Sequence, residues 1–191
     1  MKKVFMIHGF KGEPNGGWRP WLMGELAQND IWACALAMPT PDTPVKDEWV
    51  KTIKDAVKEP TEEIFLIGHS LGVPAILRYL ESLPSGLKIG GVVLVSGTAF
   101  KIKKEKYEQV NSFLETSFNF EHIKNVCKNF IVIHGDNDPN VPFSDAEYLA
   151  EKFSCDLISI PNGKHLNGSA GWYELPQALE SLLKMIKISN Q

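Results

Sequence analysis

The stretch "IFLIGHSLGVPAILRYL", residues 64–80, decides the fold. It begins as an apolar run typical of a buried strand, breaks at Gly68, and continues from Leu71 with the spacing of a helix. Ser70 lies between two glycines at this break, and parallel sheets bind ligands just beyond the carboxyl ends of their strands. Glycines two residues before and after the serine allow a sharp turn that would project its hydroxyl group clear of the sheet.

The rest of the chain repeats this alternation of short apolar runs and longer helical patterns. The predicted strands are residues 3–8, 32–37, 63–68, 90–96, 130–134 and 157–160. The predicted helices are residues 18–28, 47–57, 71–83, 144–153 and 175–188. Alternating strands and helices predict an α/β fold, a doubly wound parallel six-stranded sheet with helices on both faces. No linker or repeat divides the chain, so we expect residues 1–191 to form a single domain.

Residues 97–129 form a long connection that does not fit this alternation. They include the charged run "KIKKEKYEQ", residues 101–109. Such a run is typically the solvated face of a helix, whereas long connections in compact domains also form flaps over functional sites. The sequence leaves both interpretations open.

Composition and charge exclude several classes of function. The net charge of -3 and the sequence pI near 6.0 give no broad basic surface, so we expect neither nucleic acid nor a membrane as a partner. The apolar run at residues 4–7 is too short for a secretory signal, which predicts a cytoplasmic protein. The cysteines lack C-x-x-C spacing and are expected to be reduced thiols: Cys34, Cys127 and Cys155. A small-molecule ligand fits this composition, and no protein partner can be derived from it.

A serine nucleophile needs a histidine base, and the base needs an acid that orients it. In hydrolases with a serine on such a turn, the chain order is serine, acid, histidine. Asp136 and Asp138 follow the fifth predicted strand in "HGDNDPNVP", and His165 is the histidine that comes after both. We favour Asp138, because a residue before proline is biased towards extended backbone, whereas Asp136 is suited to close a turn. Asp136 stays open as the alternative.

These residues make the chain resemble the α/β-hydrolases, and within them the small serine hydrolases related to retinoblastoma-binding protein nine. The similarity spans almost the whole chain, in the motifs "HGF", "GGWRPWL", "AMPTPDTP", "GHSLG", "LVSG", "HGDNDPNVP", "GKHLN" and "AGW". It implies a triad of Ser70, Asp138 and His165, in agreement with the chain order, and an oxyanion hole built from the backbone N–H groups of Phe10 and Leu71. It also implies a minimal α/β-hydrolase fold without a large cap, and hence an open site.

The expected function is that of a serine carboxylesterase on small acyl esters, which forms an acyl-enzyme and needs no cofactor or metal. Aromatic residues beside the loops at this edge are candidates for a substrate pocket: Trp18, Trp21, Phe100 and Phe143. One alternative is an inactive hydrolase-fold protein that acts as a binding partner. Another is a metal-dependent hydrolase that would use the histidines at the same edge: His8, His69, His134 and His165.

Overall fold

The computed structural model describes residues 1–103 and 105–188, which fold around one parallel sheet. Its strands are β1 (Lys3–Ile7), β2 (Trp32–Leu36), β3 (Ile64–His69), β4 (Gly91–Val95), β5 (Phe130–Gly135) and β6 (Asp156–Ile160). All neighbouring pairs are parallel, and the strand order is β2-β1-β3-β4-β5-β6. The predicted six-stranded parallel sheet is confirmed.

The helices are α1 (Arg19–Gln28), α2 (Lys46–Val57), α3 (Gly72–Glu81), α4 (Phe120–Val126), α5 (Phe143–Phe153) and α6 (Pro176–Ile188). Five of them lie where the sequence predicts a helix, and α4 is the addition. A local signal marks the start of α4, because the side chain of Asn119 accepts a hydrogen bond from the His122 N–H at 3.0 Å.

The central strands of the sheet are covered on both faces, whereas the edge strands β2 and β6 are partly exposed. In β3, Ile64 and Leu66 pack on one face while Phe65 and Ile67 pack on the other, and all four side chains are buried. Helices α1 and α6 cover the second of these faces, and α2 to α5 cover the first. Burial on both faces explains why the central strands are continuously apolar.

The order of the strands creates a crevice between β1 and β3. From β1 the chain adds β2 on one side, then crosses back to place β3 and the later strands on the other side. Ligands bind at such a reversal, beyond the carboxyl ends of the two strands. Here β1 leads into His8, Gly9 and Phe10, and β3 leads into Ser70.

The long connection combines the two interpretations that the sequence left open. Residues 105–113 form a 3₁₀ segment in which Glu105 and Glu108 are exposed, whereas Val110 and Phe113 are buried. Lys104, which belongs to the charged run, lies outside the described residues. The segment is therefore solvated on one side and packs on the core beside α3 on the other.

The three cysteines are free thiols. Burial raises the pKa of Cys127 to about 12 and that of Cys155 to about 11, so neither is a reactive thiolate at neutral pH. Within the part of the chain that the structure describes, no helix has both the length and the apolar character needed to cross a membrane.

Candidate active site

Ser70 occupies a strained turn between β3 and α3. Its φ of 55° is in the left-handed region, which costs a residue with a side chain about 1–2 kcal/mol. The turn is held because the Ser70 N–H donates to the Val95 carbonyl at 2.9 Å. The glycines are required by close packing, since a Cβ on Gly72 would lie 2.3 Å from the Ile7 carbonyl oxygen, and one on Gly68 would lie 2.7 Å from Gly72. The motif thus brings the start of α3 directly against β1.

The structure brings Ser70, His165 and Asp138 together in one chain of hydrogen bonds. His165 Nε2 lies 3.0 Å from Ser70 Oγ, and His165 Nδ1 lies 2.7 Å from Asp138 Oδ2. With its Nδ1–H donating to the carboxylate, the imidazole presents the Nε2 lone pair to the serine hydroxyl group. The Asp138 side chain is fully buried, whereas 10% of the His165 side chain is exposed.

The two aspartates after β5 have different neighbours. Asp138 Oδ1 accepts hydrogen bonds from the backbone N–H groups of Asn140 at 2.8 Å and Val141 at 3.1 Å, which leaves Oδ2 to face the imidazole. Asp136 Oδ1 accepts instead from the Asn162 N–H at 2.8 Å and fixes the loop after β6. Asp138, not Asp136, therefore contacts the histidine.

Two further histidines hold the loops on either side of Ser70. His69 Nε2 donates to the His165 carbonyl at 2.8 Å, and burial keeps the pKa of His69 well below its usual value, so the ring is neutral. His8 Nδ1 donates to the Gly9 carbonyl at 2.8 Å, while its Nε2 accepts from the Met38 N–H at 3.2 Å. Burial lowers the pKa of His8 as well. Both rings support loop backbone.

His134 lies behind the acid. Its Nε2 donates to the Val141 carbonyl at 3.1 Å and lies 3.5 Å from Asp138 Oδ2, and burial lowers its pKa. His134 and His165 thus approach the same carboxylate oxygen, while His69 contacts the backbone of His165. In the described portion of the chain, no three His, Cys, Asp or Glu side chains are grouped so that they could hold a metal ion.

Backbone amides border the serine on two sides. A Cβ on Gly9 would lie 2.9 Å from Ser70 Cβ and 3.3 Å from Ser70 Oγ, so the loop that carries Phe10 passes directly beside the hydroxyl group. Leu71 follows the serine at the start of α3. Neither the Phe10 N–H nor the Leu71 N–H donates to an acceptor within residues 1–103 and 105–188. Both are therefore unpaired backbone donors beside the hydroxyl group.

Two spaces meet at Ser70. One is an open cleft of about 860 Å³ between the β1 loop, the start of α1 and the histidine loop, and His165 lines it. The other is a small apolar cavity of about 30 Å³, which His165 does not line. Its walls include Pro74, Tyr107, Val110 and Leu114.

Of the four predicted pocket residues, Trp21 and Phe100 border surface clefts, whereas Trp18 and Phe143 do not. Trp21 lines the cleft, and Phe100, 44% exposed, borders a neighbouring groove of about 340 Å³ that Asp138 also lines. The prediction for Trp18 is wrong, because this side chain is only 1% exposed in the core, where its Nε1 donates to the Leu166 carbonyl at 2.9 Å. Phe143 lines neither space at Ser70; its ring packs against His134, with centroids 6.0 Å apart.

The 3₁₀ segment supplies cavity walls that the sequence did not identify. Tyr107 and Val110 lie within or just after the charged run, where the charges obscure their three-residue spacing. Eclipsed side chains three residues apart are the property of a 3₁₀ helix, and this spacing was the available signal.

A parallel sheet with a serine on a strand-to-helix turn at the reversal of strand order defines the class of α/β-hydrolase folds. A family model described as serine hydrolase matches residues 4–184, and the chain belongs to that family. The protein is therefore a hydrolase.

Relatives of known sequence and structure agree with this assignment. The hydrolase YdeN of Bacillus subtilis strain 168 is 34% identical over 175 residues, which cover 92% of this chain and 91% of YdeN. The serine hydrolase RBBP9 of Rattus norvegicus is 25% identical over 168 residues, or 87% of each chain. The crystal structure of the B. subtilis ydeN gene product superposes with a TM-score of 0.93 at 32% identity, covering 98% of this chain and all (100%) of that one.

Proposed function

We propose that the protein is a carboxylesterase that cleaves small acyl esters with Ser70, His165 and Asp138 as its catalytic triad. The observation that carries this proposal is the continuous hydrogen-bond chain, 3.0 Å from Ser70 Oγ to His165 Nε2 and 2.7 Å from His165 Nδ1 to Asp138 Oδ2. Because Ser70 and His165 both line the cleft, a substrate can reach the serine hydroxyl group.

The reaction has two halves. Ser70 Oγ attacks the ester carbonyl carbon while its proton passes to His165 Nε2, and the tetrahedral intermediate then expels the alcohol, which takes that proton. A water molecule next attacks the acyl-enzyme with His165 again as base, and the acid leaves as Ser70 regains its proton. Asp138 stabilises the imidazolium formed in each half, and no cofactor or metal takes part.

The negative charge of each intermediate falls on the former carbonyl oxygen. The Phe10 and Leu71 N–H groups border Ser70 without an acceptor in the described chain, so they can bind this oxygen without first breaking another hydrogen bond. Each such fixed donor contributes about 3–4 kcal/mol to transition-state stabilisation.

The position of His165 orients the ester. The departing alcohol must receive its proton from His165 Nε2, and His165 lines the open cleft but not the small apolar cavity. The alcohol portion therefore lies in the cleft and the acyl portion in the cavity. A cavity of about 30 Å³, close to the volume of one water molecule, admits only a short acyl chain.

The proposal is tested by intact-mass analysis after treatment with a fluorophosphonate, on wild type, Ser70→Ala and His165→Ala. We expect a single adduct on wild type, none on Ser70→Ala and much slower labelling of His165→Ala. Hydrolysis of p-nitrophenyl acetate, butyrate and octanoate should decrease with acyl length. No adduct on folded wild-type protein would refute the esterase proposal and favour a binding role for the fold.

A further inference from the structure

Arg19, the first residue of α1, places a buried cation in the wall of the cleft. Its residue surface is only 6% exposed, and it lines the same cleft as Ser70 and His165. Burying a charge is costly unless a partner compensates for it. Within residues 1–103 and 105–188, no carboxylate comes within the 4.0 Å of an ion pair with this guanidinium group.

The hydrogen bonds of Arg19 leave part of the guanidinium group free. Nε donates to the Pro14 carbonyl at 3.3 Å and Nη2 to the Glu13 carbonyl at 2.8 Å, so these bonds hold the group in place without neutralising it. Nη1 donates to no acceptor among the described residues. A Cβ on Gly16 would lie 2.9 Å from Nη2, and the glycine thus leaves room for the side chain.

The other groups that face the cleft do not cancel this charge. Lys11 and Glu13 also line it, but both are exposed, and the Glu13 carboxylate favours the charged guanidinium group without coming close enough to form an ion pair with it. Burial lowers the pKa of His69, which therefore adds no positive charge at neutral pH. Burial also lowers the pKa of Arg19 to about 10, and Arg19 accordingly stays protonated.

We propose that Arg19 binds an anionic group on the alcohol portion of the substrate, so that the preferred substrates are short-chain esters of carboxylate-bearing alcohols. This inference rests on the proposed esterase function, because the proton transfer from His165 is what assigns the alcohol portion to the cleft. A guanidinium group already fixed by two carbonyls presents its remaining N–H donors to a carboxylate with little loss of side-chain entropy.

The test compares two acetate esters of similar size, 4-carboxyphenyl acetate and its neutral analogue 4-carbamoylphenyl acetate. The 3-carboxyphenyl isomer is added to vary the distance between the carboxylate and the ester group. The quantity measured is the ratio of kcat/KM for the charged ester to that for the neutral ester, in each variant. Intrinsic ester reactivity cancels when this ratio is compared between variants. Titration with fluorophosphonate normalises each preparation to its active fraction.

Arg19→Gln should lower this ratio about tenfold or more, because a charge-assisted hydrogen bond in a desolvated site is lost. Arg19→Lys keeps the charge and should retain part of the preference. The matched control is Lys11→Gln, which removes an exposed cation from the same cleft and should change the ratio less than about twofold. The wild-type ratio should persist in about 1 M salt, where the Debye length of about 3 Å screens exposed charges such as Lys11.

The outcomes separate the two proposals. If wild type reacts with fluorophosphonate and hydrolyses the neutral ester but the ratio is the same in Arg19→Gln, Arg19 only supports the loop and the anion site is refuted. If Lys11→Gln lowers the ratio as much as Arg19→Gln, the buried cation is not the determinant. If the charged ester mono(p-nitrophenyl) succinate instead has a higher kcat/KM than p-nitrophenyl butyrate, the anionic group belongs on the acyl portion. The assignment of the anion to the alcohol portion is then overturned. Absence of labelling and of all hydrolysis refutes the esterase function itself.

Discussion

Replacing Gly135 with alanine should separate His165 from Ser70 by pushing on the loop backbone. Gly135 ends β5, and its Cα faces the loop that carries the histidine. A Cβ at this position would lie 2.1 Å from the Lys164 carbonyl oxygen and 2.8 Å from the Lys164 nitrogen. Both are backbone atoms, so a side-chain rotation cannot relieve the contact.

The size of the displacement follows from these distances. The Lys164 carbonyl must retreat by about 1.3 Å to reach an ordinary contact of 3.4 Å. Passed on to the next residue, that shift would lengthen the 3.0 Å separation of His165 Nε2 and Ser70 Oγ beyond hydrogen-bond range. A misplacement of about 1 Å costs roughly a hundredfold in rate, and overpacking costs about 1–3 kcal/mol of folding free energy.

The assay is kcat/KM for p-nitrophenyl acetate together with the rate of fluorophosphonate labelling and the thermal unfolding midpoint. Gly135→Ala should lose about a hundredfold in both rates, with a midpoint lowered by about 2–4 °C for each kcal/mol. The control is Gly24→Ala in α1, where a Cβ meets no atom within 4 Å. That variant should keep wild-type activity and gain about 1 kcal/mol of stability.

Labelling of Gly135→Ala at the wild-type rate, in protein that is folded, would refute this reasoning. It would mean that the loop moves away from β5 without moving the imidazole.

Three further predictions concern stability. Ser70→Gly should be about 0.5–1 kcal/mol more stable than Ser70→Ala in chemical denaturation, because glycine removes the strain of the left-handed backbone at φ 55°. The free energy of unfolding should fall as the pH falls below about 6.5, by at most about 1.4 kcal/mol per pH unit for each of the buried histidines, since the unfolded chain takes up protons that burial denies to His8, His69 and His134. Arg78→Met should lower stability by about 2–3 kcal/mol, because Arg78 donates to the Phe113 carbonyl at 2.9 Å and stacks on the Phe118 ring at 3.8 Å.

Each has a control. For the first prediction, Ser154→Gly and Ser154→Ala measure the same backbone effect outside the site, because Ser154 caps α5 at φ 51°. If Ser70→Gly and Ser70→Ala are equally stable while the Ser154 variants differ, the turn at Ser70 relaxes and the strain argument is wrong. His134→Gln should flatten the pH dependence, and an unfolding free energy that is constant from about pH 7 to pH 5.5 contradicts the histidine assignment. Arg78→Met should label with fluorophosphonate like wild type, and a stability loss below about 0.5 kcal/mol contradicts the role of its contacts.

The sequence predicts most of the sheet because its central strands are buried on both faces. Residues 64–69 are continuously apolar up to the glycine, and this pattern needs no knowledge of distant contacts. The candidate triad could also be predicted. The order serine, acid, histidine along the chain leaves His165 as the base, and the extended backbone favoured before a proline selects Asp138 over Asp136. Whether Asp138 acts in catalysis remains a prediction.

The features that the sequence misses depend on contacts between distant segments. Trp18 stands beside the loops in sequence, but the first turn of α1 directs its ring to the core, towards Leu166. Gly135 at the end of β5 approaches Lys164 in a loop distant in sequence, and nothing local to either residue signals this contact. The fixation of Arg19 depends on the carbonyls of a preceding loop, and no side-chain pattern encodes backbone acceptors.

The separation of the two spaces at Ser70 has a consequence for the fate of the acyl group. Under the proposed esterase mechanism, once the alcohol has left, the acyl chain stays in the small cavity while the cleft of about 860 Å³ is vacant in front of the ester carbon. Water reaches the carbon from this side, and so does any other small hydroxyl compound that His165 can deprotonate. In a solution rich in a simple alcohol, the same site would pass its acyl group to that alcohol, releasing a new ester and the free serine, and would work as a transferase.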